Sequence, residues 1–259
     1  MKVLVTRAEK AAQRTADRLR EAGHDPVLLP LLQYRDTGTA LPEGQFDALV
    51  FTSTAAIGIF ATRMTGDKTL AALTRLPVFC VGEATATAAR ITGFDKTQAG
   101  PGTASELVDF IATHLPTGSS GKNGPPRLLY LAPADRAFDL TAAASERGIG
   151  IVETVIYSAE LLDPGAATLG QVLDECADGA ALLYSRRSAE QLLVLATKHA
   201  LADRLARLTL IAISENVANT ITGAIAGRGP RILVSQKPHE DGLFELLDQL
   251  ASGGAILQG

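Results

Sequence analysis

Two serines stand where a hydroxyl can do chemistry. Ser53 closes the apolar run Asp47-Ala-Leu-Val-Phe-Thr and Ser185 closes Gly179-Ala-Ala-Leu-Leu-Tyr, each just before a helix-compatible stretch. A hydroxyl so placed accepts a bond from a free amide of the first helical turn, worth about 1 kcal/mol as a cap. The same amides, with the positive end of the helix dipole, form an anion site. A single such serine reads as a cap alone; its occurrence at two equivalent places argues for a ligand as well. Gly82-Glu-Ala-Thr85 and Ser214-Glu-Asn-Val217 occupy a second pair of strand-to-helix turns. A glycine there lets backbone approach a ligand closely. Glu83 and Glu215 could pass for paired catalytic carboxylates, but an acid in a first helical turn more simply complements the dipole. Arg7, Arg136, Arg186 and Arg187 fall in or near strand-end loops. Arginine grips carboxylates bidentately, so while any one of them reads as a solvated side chain, four at similar positions point to an anionic ligand. Tyr157 ends Ile151-Val-Glu-Thr-Val-Ile. Such a tyrosine ordinarily packs with its hydroxyl wet; facing a cleft, it can donate a proton or a hydrogen bond to a leaving hydroxyl.

Other chemistries lack their residues. The Gly-x-Gly-x-x-Gly fingerprint and the phosphate-binding P-loop are both missing, which argues against NAD or ATP. His24, His114, His199 and His239 are scattered without metal-ligand spacing, so no metal is expected. A net charge of −4 with no basic run argues against nucleic acid. No stretch nears the roughly 18 apolar residues of a membrane span, and Lys2-Val-Leu-Val reads as a strand rather than a secretory signal. Cys80 and Cys176 fit buried thiols in a reducing, cytoplasmic setting.

The elements that position these residues follow from the pattern. Apolar runs at 3–5, 27–32, 48–52, 77–81, 128–131, 151–157, 181–184, 208–213 and 231–234 predict buried strands, with helical spacing between most of them. Alternating strands and helices predict an α/β chain with parallel, doubly wound sheets. The chain also repeats itself. Ser53 and Ser185, and likewise Glu83 and Glu215, lie 132 residues apart within similar stretches, and Lys2-Val-Leu-Val-Thr-Arg7 has a weaker echo 125 residues on at Arg127-Leu-Leu-Tyr-Leu. At 259 residues with 46% hydrophobic content, two domains of ordinary size are expected. Two similar modules imply a cleft between them, where small ligands usually sit. Connections read at 36–44, 163–170 and, most flexible of all, 116–126.

Taken in order, Val3-Leu-Val-Thr-Arg7, Leu29-Pro30, Phe51-Thr-Ser53, Val81-Gly-Glu-Ala-Thr85-Ala, Gly93-Phe94, Leu128-Leu-Tyr-Leu with Arg136, Val155-Ile-Tyr157, Ser185, Ala212-Ile-Ser214-Glu, and Pro238 before Gly242-Leu resemble the uroporphyrinogen-III synthase family nearly end to end. The resemblance implies two similar doubly wound domains joined by a two-strand hinge. Residues 1–33 and 164–259 would form domain one, 38–158 domain two, and 34–37 with 159–163 the hinge strands.

It further implies a lyase that cyclises hydroxymethylbilane to uroporphyrinogen III with inversion of ring D, through a spiro intermediate and with loss of water. No cofactor is implied. An octa-carboxylate held by a chain of net charge −4 needs local donors: Arg7, Ser53, Gly82, Thr85, Arg136, Ser185 and Ser214 are the substrate-binding candidates, and Tyr157 the candidate acid. A monomer, with transient hand-over of the bilane from hydroxymethylbilane synthase, is the expected setting. Three departures stand out. Ala8 replaces a common proline, Ala132-Pro-Ala-Asp135 replaces a glycine-containing loop, and Asn216-Val217 replaces hydroxyl residues, whereas Thr85 is retained. The rival reading from another class is a non-catalytic, two-lobed sensor that closes on a small anion.

Overall fold

In the computed structural model, residues 1–115, 125–136, 138–222, 229–237 and 239–253 are described. Most of the expected 116–126 connection, and Pro238, lie outside them. The chain divides into two compact units, Met1–Gln33 with Glu160–Gly259, and Tyr34–Ala159. It opens with β1 (Lys2–Val5), α1 (Glu9–Glu21) and β2 (Asp25–Leu28), then crosses on β3 (Leu32–Asp36). There follow β4 (Ala48–Phe51), α2 (Thr54–Gly66), a 3-10 segment (Lys68–Arg75), β5 (Pro77–Cys80), α3 (Glu83–Ile91), β6 (Lys96–Ala99), α4 (Ala104–His114), β7 (Arg127–Pro133) and α5 (Leu140–Ser145). The strand β8 (Gly150–Leu161) carries the chain back to α6 (Gly165–Glu175), β9 (Ala180–Leu183), α7 (Arg186–Lys198), α8 (Ala202–Leu205), β10 (Thr209–Ala212), α9 (Glu215–Thr222), β11 (Arg231–Val234) and α10 (Glu240–Ala251).

The first unit carries a sheet in the order β11-β10-β9-β1-β2, and the second carries β3-β8-β7-β4-β5-β6. The pairs β1 with β2 and β9, β10 with β9 and β11, β4 with β5 and β7, β5 with β6, and β7 with β8 are all parallel. Helix α1 shows why such strands become doubly wound. Its buried residues Ala12, Thr15, Ala16 and Leu19 recur at three and four residue spacing, so one stripe of small side chains meets the sheet.

The sequence repeat becomes a spatial one. The 132-residue offset maps β4 onto β9 and β5 onto β10, and the 125-residue offset maps β1 onto β7. With these matches, β6-β5-β4-β7-β8 and β11-β10-β9-β1-β2 are one strand order entered at different strands. Of these five shared strands, the second unit enters at the central one, β4, and the first at the neighbour of its central one, β1. In both, the direction of winding reverses beside the serine-bearing strand, between β9 and β1 and between β4 and β7. Open α/β sheets bind ligands at the carboxyl ends of strands at such a reversal.

One predicted strand changes and one strand is unpredicted. The 27–32 run is divided into β2 and β3, because Pro30 has no amide to donate to a ladder. The sheet edge β6, Lys96-Thr-Gln-Ala, has no apolar run to announce it.

The two cores differ in kind. Ten of the twelve aromatic residues lie in the second unit, leaving Tyr184 and Phe244 to the first. Phe51, Phe60 and Phe94 pack ring against ring at 5.6 to 6.1 Å in the second unit. The larger cluster of the first unit is built of Leu, Ala, Val and Ile with Cys176.

Candidate active site

In the second unit, Ser53 follows β4 with extended backbone, and its Oγ accepts from the Ala56 amide at 3.1 Å as the cap of α2. The same Oγ lies 2.7 Å from Tyr157 Oη. The strand β7 separates β4 from β8, so the phenol reaches across it. A local irregularity aims it. Ala132 pairs with Val155, but the next residue, Pro133, pairs with Tyr157, so β8 carries one extra residue, Ile156. Strict alternation would send Ile156 and Tyr157 to opposite faces. Instead both pack into the same cluster, the re-aiming a bulge produces next to functional sites. The Ile156 carbonyl accepts from Thr37 N at 3.0 Å, and Ala134 N donates to the Tyr157 carbonyl at 2.8 Å.

Tyr157 is 4% exposed, and Tyr34 stands edge-on to its ring at 5.5 Å. Burial pushes its phenol up to about 12, opposed by the smaller effect of the Ser53 hydrogen bond. It therefore keeps its proton throughout the neutral range. Because Ser53 Oγ also accepts from Ala56, the two hydroxyls form a short chain that runs either way. Serine donates to phenol or phenol to serine, and in either case one O–H proton is not consumed between them. Beside this pair, Thr52 Oγ1 and Tyr130 Oη lie 3.0 Å apart, and burial raises the Tyr130 phenol too.

The other candidates of this unit are placed less directly. The Arg136 guanidinium folds back on its own loop, donating to the Pro133 carbonyl at 2.8 Å and pairing with Glu153 at 2.8 Å, beside a cavity of about 640 Å³. Gly82 caps α3, and its carbonyl accepts from Thr85 N and Ala86 N. Its φ of −166° suits any residue, and an added Cβ would meet Gly102 Cα at 3.5 Å, an ordinary contact. Thr85 is 4% exposed on the inner face of α3 with Ala86 and Ala89. Glu83 is tied to Arg90 and Thr87, as a first-turn acid rather than half of a catalytic pair.

In the first unit, Ser185 repeats the cap: extended backbone, Oγ accepting from Ser188 N at 3.2 Å and donating to Ser188 Oγ at 3.1 Å. Ser214 is half-buried, and its carbonyl opens α9 by accepting from Val217 N and Ala218 N. Arg186 and Arg187 are the first two residues of α7, directly after the loop that ends β9. Arg7 follows β1 and stacks on the Tyr184 ring at 4.0 Å. Its Nη1 donates to Glu240 Oε1 at 3.0 Å and Thr15 Oγ1 at 3.1 Å. Sequence reading did not single out Glu240. Nothing in its spacing announces that Thr15 and Arg7, 225 and 233 residues away, converge on it.

Among the described residues no group of His, Cys, Asp and Glu could hold a metal, and no helix is long and apolar enough to cross a membrane. The family model described as uroporphyrinogen-III synthase HemD matches residues 13–245. No curated protein sequence matches the chain. The chain is similar to the crystal structure of uroporphyrinogen-III synthetase from Helicobacter pylori, at 18% identity and TM-score 0.67, covering 96% of this chain and 99% of that one. It is also similar to a mutant uroporphyrinogen III synthase from the extremely thermophilic bacterium Thermus thermophilus, at 16% identity and TM-score 0.53, covering 98% and 99%.

Proposed function

Because the chain belongs to the uroporphyrinogen-III synthase family HemD, we propose that the two strand-order reversals are its catalytic and anion-binding machinery. The protein is a uroporphyrinogen-III synthase, a lyase-type enzyme acting on a tetrapyrrole. The finer reading is a hydro-lyase that cyclises hydroxymethylbilane with inversion of ring D. The carbon–oxygen bond of the ring A hydroxymethyl group breaks, leaving an azafulvenium cation. The departing oxygen takes a proton from the Ser53–Tyr157 pair and leaves as water. Ring D attacks through its substituted carbon, and the resulting spiro intermediate fragments and recloses with ring D inverted. The proton released as the last ring regains aromaticity restores the phenol. Uncatalysed closure occurs without inversion, so much of the work is holding the bilane where the crowded attack is the near one.

The observation that carries the acid assignment is the 2.7 Å contact of Ser53 Oγ and Tyr157 Oη at the first turn of α2. A phenol at about 12 is a weak acid but a firm donor, suited to a leaving group more basic than itself. Anion binding falls to Arg7, Ser185 and Ser214 in the first unit and to Ser53, Gly82, Thr85 and Arg136 in the second. Arg136 would contribute by ordering its loop, given its internal bonds. In the same reading, the crossings at 34–37 and 159–163 act as hinge strands between residues 1–33 with 164–259 and residues 38–158. The monomer works in the cytoplasm and receives its bilane from hydroxymethylbilane synthase. No cofactor enters the steps proposed.

The test is a coupled assay with freshly generated hydroxymethylbilane, the oxidised products being separated into type I and type III isomers. Mainly type III is expected. Type I alone from folded protein would overturn the assignment.

A further inference from the structure

Four side chains converge on one carboxylate in the first unit. Glu240, the first residue of α10, accepts through Oε1 from Tyr184 Oη at 2.6 Å, Thr15 Oγ1 at 2.7 Å and Arg7 Nη1 at 3.0 Å, and through Oε2 from Arg18 Nη1 at 2.5 Å. These partners come from the loop after β1, from α1 and from the end of β9, so the carboxylate joins the two strands between which the winding reverses. Its side chain is 22% exposed. Burial pushes the carboxyl up, but the bonds from Tyr184, Thr15 and Arg18 and the Arg7 charge together outweigh it and hold the group below the usual carboxylate range. Arg18 is further held by Asp241 at 2.6 Å and lies over the Phe244 ring at 4.6 Å.

We propose that Glu240 is a positioning residue that aims the Arg7 guanidinium at the substrate's carboxylates. The inference rests on the reading of Arg7 as a substrate-binding residue. A guanidinium carries five donors in a rigid planar fork, and recognition of a carboxylate depends on how that plane is oriented. Two contacts fix it here. The Tyr184 ring 4.0 Å beneath sets the tilt of the plane, and Glu240 with Thr15 pins Nη1, which sets its rotation. The carboxylate is a poor competitor for this arginine, because three further donors share its charge. Arg18 and Asp241 complete a group of two cations and two anions with no net charge. Within it Arg18 and Asp241 offset one another, so Glu240 is the charge that faces Arg7.

The experiment is steady-state kinetics with hydroxymethylbilane on Arg7→Ala, Glu240→Gln, Glu240→Asp and the double variant Arg7→Ala/Glu240→Gln. Thermal unfolding is measured on each. Expected are a KM raised about tenfold in Glu240→Gln with kcat within about twofold, partial recovery in Glu240→Asp, and no further rise when Glu240→Gln is added to Arg7→Ala. Non-additivity of that kind marks residues acting through one another. If Arg7→Ala raises KM and Glu240→Gln leaves it unchanged, the positioning role is overturned while the reading of Arg7 stands. If Arg7→Ala itself leaves KM unchanged, both fall. A lower kcat at constant KM in Glu240→Gln, with lower melting temperature, would mark a merely structural role and also overturn the proposal. Should Glu240→Gln fail to fold, Tyr184→Phe removes one neutral donor from the same carboxylate. Its KM is expected to rise about threefold, and an unchanged KM would count against the network.

Discussion

The two units share a strand order yet arm their reversal points with opposite chemistry. In the second, the serine cap meets a buried neutral phenol 2.7 Å away, and a second neutral pair, Thr52 and Tyr130, lies alongside. In the first, the serine cap bonds, among the described residues, within its own helix turn, to Ser188, and the phenol preceding it, Tyr184, donates to a charged carboxylate between two arginines. The permutation explains how this arose without a change of architecture. Thr52 and Tyr184 are equivalent under the 132-residue offset, and Tyr157 corresponds under the 125-residue offset to Leu32, which lies past β2 on the crossing strand β3. The first unit has no phenol on its outer strand, β2, and in the second Ala132 stands at the position that matches Arg7, while Arg136 further along pairs with Glu153. One fold thus carries a neutral hydroxyl pair in one copy and a charged network in the other, so function has to be argued from the site rather than from the sheet.

The core difference gives the biggest contrast. Phe60→Ala removes one ring of the Phe51–Phe60–Phe94 trio, all fully or nearly fully buried, and should cost about 3–5 kcal/mol. The loss should appear in the near-ultraviolet signal, which the aromatic-rich second unit dominates. A variant with unchanged urea midpoint would mean that the trio does not carry that core. Next comes Tyr157→Phe, expected to lower kcat about 100-fold, or about 2.7 kcal/mol of barrier, with the melting temperature nearly kept. Unchanged turnover at saturating substrate would remove the phenol from the mechanism and erase the contrast between the units.

How much of this was legible in the sequence depended on distance along the chain. The repeat, the parallel α/β alternation and the two serine caps are local patterns and could be read directly. Pro30 could have warned against a single 27–32 strand, while β6 is polar and lies at an edge, where burial imposes no apolar run. Ser53 and Tyr157 could each be singled out, but not their contact. It depends on the extra residue at Ile156, which flips the alternation of β8 and leaves no compositional mark. Glu240 looked like any first-turn acid, and Arg136 like any loop arginine, because their partners are set by topology. Local spacing reports elements and caps; convergence of side chains from different strands is a property of the folded sheet.

Alkaline titration probes the same contrast at smaller scale. Burial raises the phenols of Tyr130, Tyr157 and Tyr184, and in Tyr184 the bond to Glu240 raises it further, whereas in Tyr157 the bond to Ser53 works the other way. Below pH 10, folded and unfolded chains both keep these protons and stability does not depend on them. Between pH 10 and 12 the unfolded chain releases the Tyr157 proton and the folded chain holds it, so stability falls by about 1.4 kcal/mol per pH unit for that group. Phenolate absorbance of three of the four tyrosines should therefore rise at higher pH in the folded than in the unfolded chain. Three phenols ionising near pH 10 in a still-folded protein would contradict the burial argument. Glu240→Gln should bring Tyr184 down and leave Tyr157 where it is.

The two caps provide the finest comparison, because they are equal as caps and unequal as chemistry. Ser53→Ala and Ser185→Ala each delete an oxygen that accepts from the third residue onward, at 3.1 and 3.2 Å, from the same extended backbone conformation. Each should lose about 1 kcal/mol of capping in urea unfolding, and Ser53→Ala should lose more, because it also leaves the buried Tyr157 hydroxyl without its partner. Their kinetics should not agree. Ser53→Ala also strips Tyr157 of its hydroxyl partner, leaving a buried phenol unbonded and free to turn, so kcat falls by about tenfold while KM moves little. In Ser185→Ala no phenol is released, and what is weakened is an anion-facing helix start, so KM rises by a few-fold at nearly constant kcat. Ser53→Thr separates cap from relay. It keeps an oxygen for Ala56 N, but its methyl crowds the 2.7 Å contact, so stability should hold while kcat drops. Equal kcat losses in Ser53→Ala and Ser185→Ala would mean that both helix starts act by the same means, and the division of labour between the units would have to be abandoned even though their sites differ as described.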